Sequence, residues 1–84
     1  MSDAQDHGRA ALAYGWIYNG GISDVVGPVR ECVYRLPGTS AYAAVVYALN
    51  GVMLWGGGQT PARVPRHFDG VGKADRLAAF LAEH

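Results

Sequence analysis

The sequence predicts a mainly α domain, a single bundle of about four short helices with glycine-rich connections over residues 1-84. Three features predict it. A segment opens on Ser2-Asp3 and closes on Gly15; an apolar stripe runs through Val29, Cys32, Val33 and Leu36; a second stripe runs through Leu77, Phe80, Leu81 and His84. A chain of 84 residues holds one modest core and leaves no room for a second domain.

The first helix is expected from Asp3 to Tyr14, with Ser2 or Asp3 as N-cap and acidic residues in the first turn, where they complement the helix dipole. Gly15 then supplies the left-handed residue that ends a helix. The glycines and Asn19 of "GWIYNGGISDVVG" forbid a stable helix, and Trp16 with Tyr18 alternates as a short extended segment does. Gly27-Pro28 opens the second helix with proline at its first position. Val29, Cys32, Val33 and Leu36 share one face, Tyr34 points away, and Glu31 and Arg35 form an i, i+4 pair. Pro37-Gly38 stops it.

Thr39 or Ser40 caps a third helix, "AYAAVVYAL", apolar almost all round and therefore central. The alternative is an α+β fold with one hairpin around Asn50-Gly51, pairing Ala43 to Leu49 with Val52 to Trp55. The alanines favour helix, with Gly51 ending it. From Gly56 to Pro65 glycines and prolines predict a loop, and the last helix starts near Asp69.

Half the residues are apolar and 17% are charged, so some apolar surface is expected to meet a partner. Seven Lys and Arg balance seven Asp and Glu, so any attraction to nucleic acid must be local. Cys32 is the only cysteine, which excludes an internal disulfide and multi-cysteine zinc sites and suits a reducing cytoplasm. The acidic N-terminus lacks the apolar core of a secretory leader. Leu36 to Ala62 carries no charge, but Asn50-Gly51 and Gly56 to Thr60 break it, so a buried segment is expected over a membrane span.

"GVGKADR" is the one segment with a specific chemical reading. A glycine turn at a helix N-terminus offers backbone N–H groups to phosphate, helped by Lys73 and Arg76. It resembles the glycine hairpin of helix-hairpin-helix DNA-binding motifs, but Arg76 stands where that motif has a small residue, and Pro61 and Pro65 interrupt the preceding helix. The nucleic-acid candidates are Arg63, Arg66, Gly70, Gly72, Lys73 and Arg76. No catalytic or metal site is expected. Cys32 lies on the buried stripe, apart from any base such as His67; His7, His67 and His84 are read as surface or capping residues, and Asp24 and Asp69 as turn or N-cap residues. No cofactor is implied. Among the aromatics, Trp16, Tyr18, Tyr42, Tyr47 and Trp55 are the candidates for binding a protein partner, since such residues bury large area and carry a polar tip.

The order Gly15-Trp16, Asp24 with Gly27 and Val29, Cys32, then Phe68-Asp69 before Lys73 to Glu83 resembles a family of small actinobacterial proteins. There a helix ends in Gly-Trp, a short helix carries Cys, and a Trp-Asn-Asp-like element, here His67-Phe68-Asp69, precedes a terminal helix. The resemblance implies that helical order and no activity. The function expected is a non-enzymatic interaction or regulatory protein that self-associates as a homodimer or docks a protein. Sequence-tolerant nucleic-acid binding is the alternative, and a small membrane-associated protein the third.

Overall fold

Residues 2–23 and 29–84 are described by a computed structural model of the protein. Over them the chain forms α1 (Asp3–Ala13), β1 (Ile17–Ser23), β2 (Val29–Arg35), β3 (Tyr42–Tyr47), β4 (Met53–Gln59), β5 (Pro65–Phe68) and α2 (Lys73–Glu83). Each strand pairs antiparallel with the next along the chain, in the order β1-β2-β3-β4-β5. The fold is therefore α+β, a sheet with two short helices, and not the bundle of four helices that the periodicities predict.

The terminal helices form where their end signals stand. Ser2 and Gln5 make a reciprocal cap: Ser2 Oγ accepts from the Gln5 N–H at 3.2 Å, and Gln5 Oε1 accepts from the Ser2 N–H at 3.3 Å. Gly15, at φ +83°, ends α1. Helix α2 begins after Gly70 and Gly72, both left-handed, and buries Leu77, Phe80 and Leu81. The two helices touch each other and cover one face of the sheet, where Trp16, Cys32, Tyr34, Val45, Tyr47 and Met53 join Leu77 and Leu81 in the core.

The second expected helix is β2. Its stripe is ambiguous over so short a run, because Cys32 and Tyr34 also alternate with a period of two. Pairing with β1 and β3 decides for the strand. Tyr34, expected to point away, is only 1% exposed, while Val33 turns to the opposite face. The Cys32 segment is thus extended, against the short helix implied by the family resemblance, and Glu31 and Arg35 are not a helical pair. Gly27-Pro28 and Asp24 lie outside the described residues.

The third expected helix is β3, and its alanines do not prevent it. Ala43, Val45 and Tyr47 are buried while Tyr42 and Ala44 are exposed, the alternation of a strand covered on one face. Asn50-Gly51 turns the chain into β4: Ala48 N–H donates to the Val52 carbonyl at 2.8 Å, Asn50 Oδ1 accepts from Val52 N–H at 3.1 Å, and Gly51 takes φ +92°. The expected loop from Gly56 to Pro65 is instead most of β4, a turn, and the start of β5. Glycine is required in β4 because a Cβ on Gly58 would lie 2.1 Å from the Tyr42 carbonyl oxygen.

Three contacts fix the helices on the sheet. Asp3 Oδ2 accepts from Met53 N–H at 2.8 Å, Ala4 N–H donates to the Gly51 carbonyl at 3.0 Å, and Trp16 Nε1 donates to the Leu81 carbonyl at 2.9 Å. Among the described residues no helix is long and apolar enough to cross a membrane, and much of the uncharged run lies in the β3–β4 hairpin.

Candidate functional site

The helices cover one face of the sheet and leave the other open. Strand register builds that open face in rows: Ile17, Arg35, Tyr42, Gln59 and Pro65 form one, and Asn19, Val33, Ala44, Gly57 and His67 the next. Across β2, β3 and β4 a third row holds Glu31, Val46 and Trp55. At the centre lies a shallow hollow of about 410 Å³, lined by Val33, Ala44, Val46, Trp55 and Gly57, with Glu31 on its border. Gly57 keeps it open, since it contributes no side chain between Ala44 and His67.

The five aromatic candidates separate by strand parity. Tyr42 and Trp55 stand on the open face, 37% and 44% exposed. Tyr18, 44% exposed, lies on the helix-covered side at the sheet edge, its ring 5.7 Å from that of Tyr34. Trp16 and Tyr47 are in the core, Trp16 against Phe80, so neither reaches a partner. Of the five, Tyr42 and Trp55 are the two on the open face.

Behind the sheet lies a polar chain that sequence reasoning misses. His7, expected at the surface or as a cap, is buried. Its Nε2 lies 2.9 Å from the Ala74 carbonyl, which only accepts, so Nε2 carries the proton. In the tautomer with its proton on Nε2, Nδ1 accepts from the Tyr47 hydroxyl at 2.6 Å, and Tyr47 in turn accepts from Tyr34 at 2.9 Å. Burial pushes the Tyr34 phenol up to about 12 and also raises Tyr47. Burial likewise raises the Cys32 thiol, against a smaller downward pull from the Arg30 guanidinium, so the thiol is protonated and a poor nucleophile. One signal does point to His7: with Ala4 and Ala11 it occupies one face of α1 at helical spacing.

The basic candidates fall in two places, Lys73, Arg76 and Arg66 around the start of α2 and Arg63 apart from them. Arg76 donates to the carbonyls of Val71, at 2.8 Å, and Asp69. Lys73 Nζ donates to the Gly70 carbonyl at 3.4 Å, so both cations brace the glycine turn from within. The Lys73 N–H also donates to Gly70. Arg63 Nε donates to Ser40 Oγ at 3.3 Å, on a different turn from Gly70 and Gly72, whereas Arg66 and Arg76 line one hollow together with Glu83. Among the described residues, no group of three His, Cys, Asp or Glu side chains is placed to hold a metal.

No protein-family model, curated protein or solved structure matches the chain.

Proposed function

We propose that the protein is a non-enzymatic interaction domain that self-associates through the open face of its sheet. The observation that carries this reading is the composition of that face: Val33, Ala44, Val46, Tyr42 and Trp55 form a continuous apolar field that no element of the described chain covers.

A second copy is the occupant that fits. Glu31 and Arg35 flank Val33 on β2, one at each end of the field. A two-fold axis between two stacked faces, crossing the strands at Val33 and Ala44, brings Glu31 of each copy against Arg35 of the other. The same operation sets Val33 on Val33, Ala44 on Ala44, and Trp55 near Gln59. Such self-complementarity is what a two-fold interface demands. Four strands spaced about 4.8 Å and rising about 3.3 Å per residue present roughly 400 Å² each, so two copies bury on the order of 800 Å². This is the size of a weak, reversible interface, with dissociation in the micromolar range or above. A reducing cytoplasm suits the one free cysteine, Cys32.

Sedimentation velocity over a concentration series tests the proposal. The wild-type protein is expected to move from monomer toward dimer through the micromolar range. Ala44→Arg, with charge at the centre of the face, is expected to stay monomeric with unchanged circular dichroism and melting temperature. A wild-type chain that remains monomeric into the millimolar range overturns the reading.

A further inference from the structure

The row through the middle of the open face runs Asn19, Val33, Ala44, Gly57 and His67, one residue from each strand. Gly57 carries no side chain, and a Cβ placed there would lie 3.9 Å from Nδ1 of His67, so the imidazole stands on this face beside the hollow. His67 is exposed and ends the row on the edge strand β5.

The next step rests on the two-fold axis proposed above. That axis crosses the strands at Val33 and Ala44, and so runs along this row. A residue on a two-fold axis meets its own copy. Continued past Gly57, the axis sets His67 of one chain against His67 of the other, across the spacing of about 10 Å that packed sheets keep. Glu31 and Arg35 lie off the axis and exchange for partners of opposite charge. His67 meets only its own kind, so whatever charge it takes is doubled at the contact.

We infer that the His67 pair makes self-association sensitive to pH, the copies holding together when both imidazoles are neutral and separating more readily when both are protonated. Histidine is the side chain whose charge ordinarily changes between about pH 5 and 8. Two neutral imidazoles can match a ring N–H with a ring nitrogen acceptor, whereas two imidazolium rings carry donors alone and repel. Protonation therefore opposes the dimer, and its dissociation constant rises as pH falls through that range. Other charged groups lie around His67. Along its own chain Arg66 precedes it and Asp69 follows past the end of β5; from α2, Arg76 and Glu83 line the hollow that His67 touches on the helix-covered side. These are two charges of each sign, which leaves the proton on each ring uncompensated. From β4, Gly57 stands opposite and brings no charge.

Sedimentation velocity over a concentration series at about pH 7.5 and about pH 5.5, above the range in which carboxylates ordinarily take up protons, tests this inference. The wild-type dissociation constant is expected to rise about fivefold at the lower pH, a modest step because the pair lies at an exposed rim where solvent and salt screen it. His67→Gln, uncharged at both, is expected to associate equally at the two. That variant keeps His7 and His84, so a step that it loses belongs to His67. Circular dichroism is expected to be the same for both chains at each pH. A wild-type chain that dimerises at the higher pH with an unchanged constant at the lower, or a step of the same size in His67→Gln, overturns this inference and leaves self-association standing. A wild-type chain that stays monomeric into the millimolar range at both removes self-association and this inference with it.

Discussion

The Tyr47 hydroxyl lies 2.6 Å from Nδ1 of His7, a buried contact between a strand and a helix forty residues apart in sequence. It joins α1 to the middle of the sheet, and both of its ends are committed: His7 to the Ala74 carbonyl in α2, and Tyr47 to Tyr34 in β2. The chain thus holds both helices and two strands by one directional series of donors. Because the His7, Tyr34 and Tyr47 side chains are buried, removal of one leaves a desolvated partner with no water to replace it.

Tyr47→Phe is therefore expected to destabilise more than Tyr34→Phe. The first removes an acceptor from Tyr34 and a donor from His7, costing about 2–4 kcal/mol; the second removes one donor to Tyr47 and costs about 1–2 kcal/mol. Urea unfolding of the two variants at neutral pH checks the order. Equal losses would show that Tyr47 is not the branch point of the chain.

Stability is expected to fall at alkaline pH. The Tyr34 phenol holds its proton more tightly in the fold, with a pKa raised from 10.0 to about 12, chiefly because burial opposes the phenolate. A raised folded pKa means that the contribution is fully present below the unfolded value and is lost as pH rises through the folded one. Between pH 10 and 12 the fold should thus lose about 2–3 kcal/mol from this group, with the raised phenol of Tyr47 acting in the same direction. Denaturant titrations at intervals from pH 8 to about 11.5 measure the slope. Tyr34→Phe should make it shallower.

Gly58→Ala is expected to disrupt the fold, while Gly57→Ala leaves it standing. At Gly58 a methyl group would collide with the Tyr42 carbonyl oxygen at 2.1 Å, so β4 would have to leave β3. At Gly57 the nearest atom is the Arg66 carbonyl oxygen at 3.5 Å, an ordinary contact on the open face. Thermal melts separate the two, with Gly58→Ala failing to fold or melting far lower.

These differences between neighbouring glycines also show where sequence reasoning stops. The ends of α1 and the buried face of α2 are legible because their signals are local: Ser2 with Gln5, Gly15, and the Leu77, Phe80 and Leu81 stripe each act within a few residues, whereas α2, expected to start near Asp69, starts at Lys73 after Gly72. The strands are not, since Val29, Cys32, Val33 and Leu36 satisfy a helical period while Cys32 and Tyr34 satisfy an extended one. Only pairing with β1 and β3 breaks the tie. The same parity sorts the aromatics. Tyr42 and Tyr47 lie five residues apart on β3, an odd separation that sends one to the open face and the other to the core. A helical reading cannot see that division. His7 is hidden for a different reason: its partners Tyr47 and Ala74 are distant in sequence.

Exchange of charges on the open face gives the sharpest test of the proposed axis. Glu31→Arg alone would set two arginines together at each of two symmetry-related contacts, and Arg35→Glu alone would do the same with two carboxylates. Each is expected to raise the dimer dissociation constant by about tenfold, because two exposed contacts change from attraction to repulsion. The double variant restores opposite charges across the interface and should return close to wild-type affinity. Neither residue is buried, so circular dichroism and melting temperature should stay near wild type throughout. Recovery in the double variant requires that Glu31 of one copy face Arg35 of the other. A general effect of net charge cannot produce it, because the double variant and the wild type carry the same total. Single variants that do not weaken association, or a double variant that does not recover, would show that the copies meet about a different axis or not at this face.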